Sequence, residues 1–337
     1  MPDPVRVAVV GAGSWGTALA ALLSRQGHDV VLWSFEAPVA ESVNTAHVNP
    51  YLEGVSLPPS LRATTSLGEA LQGARLVVSV SPAQFVGRVM APAAAHVSED
   101  AVVVSASKGI ETDTLRSMDE VLGEILPAEV MERFCVLSGP SFAAEVAREA
   151  PTAVVVACRH QETAAWVQRQ FQNDTFRVYT NTDVVGVEMA GALKNVVALG
   201  AGVVAGLGFG FNTQAALITR GLAEITRLGV ALGAERATFS GLAGMGDLVL
   251  TCTGSLSRNR TVGYRLGQGE SLKEILGDMK AVAEGVKTAE AAYALSRRHG
   301  VEMPIAEQVH AIVHEGRRPL DAVRTLMQRD PKPEEWS

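Results

Sequence analysis

Along residues 5 to about 180, short β-branched apolar runs alternate with stretches whose apolar residues recur every three or four positions. The runs at 5–10, 30–33, 76–80, 101–105, 135–137, 152–157 and 176–179 predict strands. The stretches at 15–26, 84–95, 114–126 and 162–171 predict helices, the first of them closed by Gly27. This alternation predicts βαβ units, an α/β fold around a mostly parallel sheet. Beyond residue 182 the β-branched runs give way to Ala, Leu and Gly at helical spacing, which predicts helices at 184–205, 213–232, 260–267, 272–276, 285–298, 303–315 and 319–327. Two domains follow: residues 1–182, then an all-helical domain over 183–328, with 329–337 as a loose charged tail.

The chain has 337 residues, 47% apolar and 19% charged, which fits an ordinary globular protein and excludes a disordered or fibrous one. Its 29 basic against 36 acidic residues lack the basic footprint that nucleic acid requires, so no nucleic-acid partner is expected. Cys135, Cys158 and Cys252 are too few for a disulfide framework, and the opening MPDPVRVAVVGAG lacks the pattern of a secretory signal, so a reducing, cytoplasmic location is expected. No charge falls between Lys194 and Arg220, but glycines and Asn212-Thr213-Gln214 interrupt the stretch. It predicts a buried core helix and no membrane span. The seven histidines are scattered and form no ligand spacing, so no metal is expected.

Gly11-Ala12-Gly13-Ser14-Trp15-Gly16 follows a predicted strand and opens a predicted helix. In that context Gly11 permits the tight turn, Gly13 the approach of a pyrophosphate and Gly16 close packing of helix on sheet, while the free N–H groups of the helix start would face the anion. The domain is therefore expected to be Rossmann-type and to bind a dinucleotide. After the second strand stands Trp33-Ser34-Phe35-Glu36, neither a clear acid nor a clear arginine, so NAD and NADP both stay open. Phe35 can pack on adenine; Glu36 can be a ribose ligand, a group that repels a 2′-phosphate, or a solvated carboxylate.

Residues just beyond strand ends are favoured site positions in such sheets. Ser81-Pro82-Ala83-Gln84, Ser107-Lys108-Gly109 and Ser138-Gly139-Pro140-Ser141-Phe142-Ala143 qualify. Against this, Lys108 can be a surface cap and the last segment only a turn and helix cap. Lys194 lies in an apolar helix, where a lysine needs a task or a partner and where desolvation suits an amine to acid/base work. Glu188 lies on another face of that helix and does not supply the partner; a solvated helix edge is the alternative. Glycines crowd around Asp247 in GLAGMGDL, and Ser257-Arg258-Asn259-Arg260 follows, a loop able to hold an anion or simply a polar helix start.

GAGSWGTALA, SASKGIE, LSGPSFAAEVA, EMAGALKNVVALGAGVVAGLGFG, GLAGMGDLVLTCTG and SRNR occur in that order. With them the chain resembles the bacterial NAD(P)-dependent glycerol-3-phosphate dehydrogenases over residues 5 to 325. The resemblance implies reversible reduction of dihydroxyacetone phosphate to sn-glycerol 3-phosphate for phospholipid synthesis. It implies Lys194 as acid/base, Asp247 as its support and Lys108 as a second lysine meeting cofactor and substrate. Gly139, Ser141, Asp247, Ser257, Arg258 and Asn259 would hold the substrate. Ser14, Trp15, Lys108, Ala143, Arg258, Val282 and Glu284 would contact NAD or NADP; a homodimer stays open as the oligomeric state. The chain departs from the family at Phe35, where Arg or His is common, and at Phe211 and Gln214, which stand for Asp and Lys. A 3-hydroxy-acid dehydrogenase and a non-enzymatic redox sensor are the rivals. The first would not need LSGPSF or GMGDL, nor the second Lys108, Lys194 and Asp247 together.

Overall fold

The computed structural model describes residues 3–279 and 282–334. Its contacts divide the chain into two compact units, Met1–Lys108 with Arg116–Val187, and Gly109–Leu115 with Glu188–Ser337.

The first unit is built on one eight-stranded sheet, β1 (Arg6–Val10), β2 (Asp29–Trp33), β3 (Arg62–Thr64), β4 (Leu76–Ser79), β5 (Val102–Ser105), β6 (Cys135–Ser138), β7 (Thr152–Cys158) and β8 (Phe176–Asn181), in spatial order 3-2-1-4-5-6-7-8. All neighbours run parallel except β6 and β7, so β7 and β8 oppose the other strands. The sheet is thus α/β and mostly parallel, as the alternation predicts. From β1 the chain winds outward to β3 and then crosses back to β4 on the other side of β1. That reversal is the switch point at which such sheets bind ligands. Register sets Val10 beside Trp33 on one side and Ser79 on the other, so the carboxyl ends of β1, β2 and β4 lie level.

Hydrophobic burial holds these strands to the helices. Val7, Val9, Leu32, Val78 and Val104 on the strands and Leu19 and Leu23 on the helix Ser14–Arg25 are wholly buried in one cluster, each burial worth roughly 1.5–3 kcal/mol. At the end of that helix Gly27 takes φ +89°, and the bonds Gly27 N to Ser24 O and His28 N to Leu23 O close a Schellman turn. The three cysteines are free and buried.

Several local expectations need correction. β3 escaped the hydrophobic pattern because it is a three-residue edge strand, Arg62-Ala63-Thr64, with one buried apolar residue. The helix expected over 114–126 is confined to Met118–Gly123: Leu115 sits at φ +62°, and Ser117 with Glu120 forms a reciprocal capping box that starts the helix there. The helix Ala37–Ala46, opened by Pro38 and stopped by His47 at φ +54°, was not among the expected helices, although its buried Val39, Ala40 and Val43 follow helical spacing. Of the tail expected to be loose over 329–337, residues 329–334 are tied at several points, with Arg329 and Lys332 reaching the Glu302 carboxylate and Arg220 donating to Glu334 O, while 335–337 lie outside the described residues.

Helices make up the second unit, and no strand occurs in it among the described residues. Its long helix Val184–Gly206 is apolar and long enough to cross a membrane, but 89% of its most apolar window is buried in the protein. Glycines bring it into backbone contact with the helix Arg258–Gly267. A Cβ on Gly202 would stand 2.1 Å from Arg260 O, and one on Gly263 would stand 2.0 Å from Leu199 O. No side chain fits between these helices, so their relative placement tolerates little variation.

Elsewhere in this unit Glu224, on the helix Phe211–Ala231, accepts from Ile305 N at 2.8 Å and Ala306 N at 3.2 Å, capping the buried start of the helix Pro304–His314. Burial pushes its carboxyl up to about 7, against the pull of those two N–H groups and of Arg227. A raised folded-state pKa means that the folded chain binds a proton the unfolded chain has already released. The stability from this group is therefore full below about pH 4.5 and lost as pH rises through 7. Relative to Glu224→Gln, which cannot titrate, the wild type is expected to lose about 2–3 kcal/mol between pH 5 and 7.5. Melting temperatures that move in parallel over that range would show an ordinary carboxyl instead.

Candidate active site

At the switch point the chain leaves β1 and turns at Gly11, where φ is +128° and a Cβ would press within 3.0 Å of the Val80 carbonyl group. Gly11 N donates to Trp33 O at 3.2 Å, tying the turn to the end of β2. A Cβ on Gly16 would lie 1.9 Å from Gly11 O, so the helix start can close on the turn only with glycine there. Gly13 faces open space, with nothing within 4 Å of where its Cβ would be. Ser14, Trp15 and Gly16 then present helix-starting N–H groups, and no acidic residue occupies this first turn. Open space over Gly13, free N–H groups and no opposing carboxylate are what a pyrophosphate needs, so these residues fit a dinucleotide.

A residue with no motif signal in the sequence holds the turn. Asn49, buried, donates from Nδ2 to Ala12 O at 3.0 Å and to Thr17 Oγ1 at 2.7 Å. An asparagine in a long connection carries no periodic or motif signal, and only the fold brings it here.

Three further sheet ends bring their residues together in the same unit. Ser107 Oγ donates to Ser81 O at 2.6 Å, joining the β5 and β4 ends. Lys108 is half-buried rather than a solvated surface cap, and its Nζ donates to Gly139 O at 3.0 Å. Ser141 Oγ donates to the same carbonyl at 2.9 Å, and Ala143 begins the helix Ala143–Ala147. The segment does end in a helix cap, with Phe142 at the cap position. Gly139 has φ +135° and its Cβ would meet Val154 Cα at 2.9 Å, so this corner too is specific for glycine. Phe35 is 85% exposed just past β2, edge-on to Trp33 with ring centres 6.5 Å apart.

In the second unit Lys194 and Asp247 form a buried ion pair, Nζ to Oδ1 2.6 Å, with side-chain exposures of 7% and 2%. The expected helix-edge alternative for Lys194 is thereby ruled out, and Asp247 reaches it from 53 residues away. The segment before Asp247 is not the loop that its glycines suggested. Leu242–Gly246 is a π-helical turn leading into the helix Asp247–Thr253, and Gly244 is pressed on the Phe239 backbone, a Cβ there meeting Phe239 O at 2.1 Å. One turn later Thr251 Oγ1 lies 2.8 Å from Lys194 Nζ and donates to Asp247 O at 2.6 Å. Thr251 is a second site residue that sequence inspection did not single out, although its i+4 spacing from Asp247 on a helix would have carried it. Beside this group, burial pushes the Cys252 thiol up to about 12, leaving it inert.

Ser257 caps the helix Arg258–Gly267, accepting from Arg260 N at 3.2 Å. The first turn of that helix carries Arg258 and Arg260 and no acid, an arrangement that the helix dipole disfavours unless an anion is present. Arg258 is exposed, whereas Asn259 is buried and fully engaged on one face, Nδ2 donating to Asn195 Oδ1 at 2.9 Å and Oδ1 accepting from Gly285 N at 2.9 Å. That bridge links the residue after Lys194 to the start of the helix Glu284–His299, next to which Val282 is exposed.

Comparison with known proteins assigns a family. The family model described as NAD-dependent glycerol-3-phosphate dehydrogenase N-terminus matches residues 6–164, and its C-terminus counterpart matches residues 183–324. A glycerol-3-phosphate dehydrogenase [NAD(P)+] of Geobacter sulfurreducens is 58% identical over 332 residues, 98% of this chain and 99% of the relative. One from Geobacter metallireducens is 57% identical over 330 residues, 98% of each. The crystal structure of glycerol-3-phosphate dehydrogenase from Coxiella burnetii superimposes with a TM-score of 0.92 at 38% identity, covering 97% of this chain and 100% of that one. With both halves matched and near-complete coverage at more than half identity, the chain belongs to the NAD(P)-dependent glycerol-3-phosphate dehydrogenase family.

Proposed function

We propose that this chain reduces dihydroxyacetone phosphate to sn-glycerol 3-phosphate with NADH or NADPH, reversibly, supplying the backbone for phospholipid synthesis. The buried Lys194–Asp247–Thr251 group carries this reading, because it is a proton donor held in a dry, fixed geometry. Within the first unit, the N–H groups of Ser14, Trp15 and Gly16 bind the pyrophosphate, and Phe35 packs on the adenine. When bound, the reduced nicotinamide supplies a hydride to carbon 2 of the ketone.

Charge then develops on the substrate oxygen, and Lys194 Nζ is the group that meets it. Its ammonium stabilises the oxyanion and passes it a proton. Asp247 and Thr251 hold the amine by two short hydrogen bonds, so its position is fixed before the substrate arrives. Arg258, with the start of its helix and Ser257, takes the substrate phosphate. Asn259 contributes from its backbone, since its amide bridges Asn195 and Gly285. Lys108, with Gly139 and Ser141, adds a second cationic contact for substrate and cofactor, and Ala143, Val282 and Glu284 complete the cofactor contacts. The three free, buried cysteines support a cytoplasmic site of action, and a homodimer is the oligomeric state to be tested by sedimentation.

Lys194→Ala is expected to lower kcat by about 10²–10⁴-fold with little change in cofactor affinity, the usual scale of general acid catalysis. Near-normal turnover in the folded variant would remove Lys194 from the chemistry. Arg258→Ala is expected to lower kcat/KM for dihydroxyacetone phosphate by about 10–150-fold, the scale of one charge-assisted contact, and to affect dihydroxyacetone much less. Equal losses on both substrates would assign Arg258 another task.

A further inference from the structure

Two residues past β2, Glu36 is held more firmly than an exposed glutamate ordinarily is. Its backbone is pinned on both sides by Ser34, whose Oγ donates to Glu36 O at 2.9 Å and accepts from Glu36 N at 3.2 Å. Its carboxylate takes the Tyr51 hydroxyl on both oxygens, each at 3.0 Å. This bond to Glu36 raises the Tyr51 hydroxyl above its ordinary pKa, so it stays a donor. Tyr51 N in turn donates to Asn49 Oδ1 at 2.8 Å, and the Asn49 amide is the group that grips Ala12 O and Thr17 Oγ1 in the phosphate turn. A continuous hydrogen-bonded path therefore runs from the turn that would carry a pyrophosphate, through Asn49 and Tyr51, to one carboxylate beside the end of β2.

We propose that Tyr51 is a specificity-determining residue: it fixes the Glu36 carboxylate where an adenosine ribose emerges from the phosphate turn, so that the chain favours NADH and discriminates against a 2′-phosphate. The inference rests on dinucleotide binding at Gly11–Gly16, as proposed above. A ribose 2′-hydroxyl can donate to a carboxylate lone pair that Tyr51 leaves free. A 2′-phosphate has no proton to offer there at neutral pH and brings about −1.5 to −2 charges against a like charge that cannot swing away. In the same stretch, exposed Phe35 supplies no cation to offset the repulsion. Both reduced cofactors still bind, because the repulsion acts at a solvent-exposed edge and is partly screened.

The test is direct binding, followed by quenching or enhancement of nicotinamide fluorescence with NADH and NADPH, on the wild type, Glu36→Gln and Tyr51→Phe. Both substitutions are near-isosteric at exposed positions, so folding is not in question. The wild type is expected to bind NADH about tenfold or more tightly than NADPH at low salt, with the gap narrowing as salt screens the carboxylate. Glu36→Gln is expected to bring the two within about threefold, mainly by tightening NADPH. Tyr51→Phe, which frees the carboxylate to turn into solvent, is expected to fall between them. Equal affinities in the wild type, or a ratio unmoved by Glu36→Gln, would overturn the role of this carboxylate. A ratio moved by Glu36→Gln but not by Tyr51→Phe would overturn that of Tyr51. Binding of neither cofactor would instead defeat the dinucleotide assignment itself.

Discussion

Lys194 and Asp247 meet in the interior of the helical unit from positions 53 residues apart, almost without access to water. Either charge alone in that place would destabilise the fold by about 3–5 kcal/mol, whereas an apolar pair of the same volume would be as good or better. Stability therefore does not explain why the pair is ionic. Under the role proposed for Lys194, what an ionic pair adds is a donor whose direction is set before substrate arrives, and the residues around it serve that requirement. The π-helical turn Leu242–Gly246 aims Asp247 inward, and Thr251 fills the second hydrogen-bonding position on the amine.

Backbone-to-backbone contacts fix the elements that carry the other proposed ligands. The helix bearing Lys194 is locked against the one bearing Arg258 by glycines at 202 and 263, where no Cβ fits. In the sheet unit Gly11, Gly16 and Gly139 do the same for the phosphate turn and for the carbonyl that Lys108 binds. Side-chain packing permits repacking when one residue changes, but these contacts do not. Positional accuracy of the kind that hydride and proton transfer need is thus built from absent side chains as much as from present ones.

Much of this was legible in the sequence, and for physical reasons. Buried parallel strands must read as β-branched runs, and the turn after β1 must carry glycines at fixed offsets, so the sheet and the phosphate turn announce themselves locally. Lys194 was conspicuous because an apolar helix makes a lone lysine costly. What holds it was named only through the family resemblance and not by any local signal, since Asp247 sits among glycines that read as a loop. The π-helical turn goes with the close approach of Gly244 to the Phe239 backbone, five residues earlier, which the glycine-rich sequence alone does not announce. Asn49 and Tyr51 were silent for the same reason: their spacing follows no period, and only the return of the chain past β2 places them on Ala12 and Glu36. β3 was missed because an edge strand of three residues buries too little to leave a pattern.

Amine rescue of the lysine-deficient enzyme tests the central claim most directly. In the Lys194→Ala protein, small primary ammonium ions admitted to the vacated volume beside Asp247 and Thr251 would restore a donor at the same place. The account predicts that dihydroxyacetone phosphate reduction rises with added ammonium or methylammonium, saturably, and that the rescue vanishes when Asp247 is also replaced. A folded, cofactor-binding Lys194→Ala protein whose rate is indifferent to these ions at every pH would contradict the assignment of Lys194 as the proton donor.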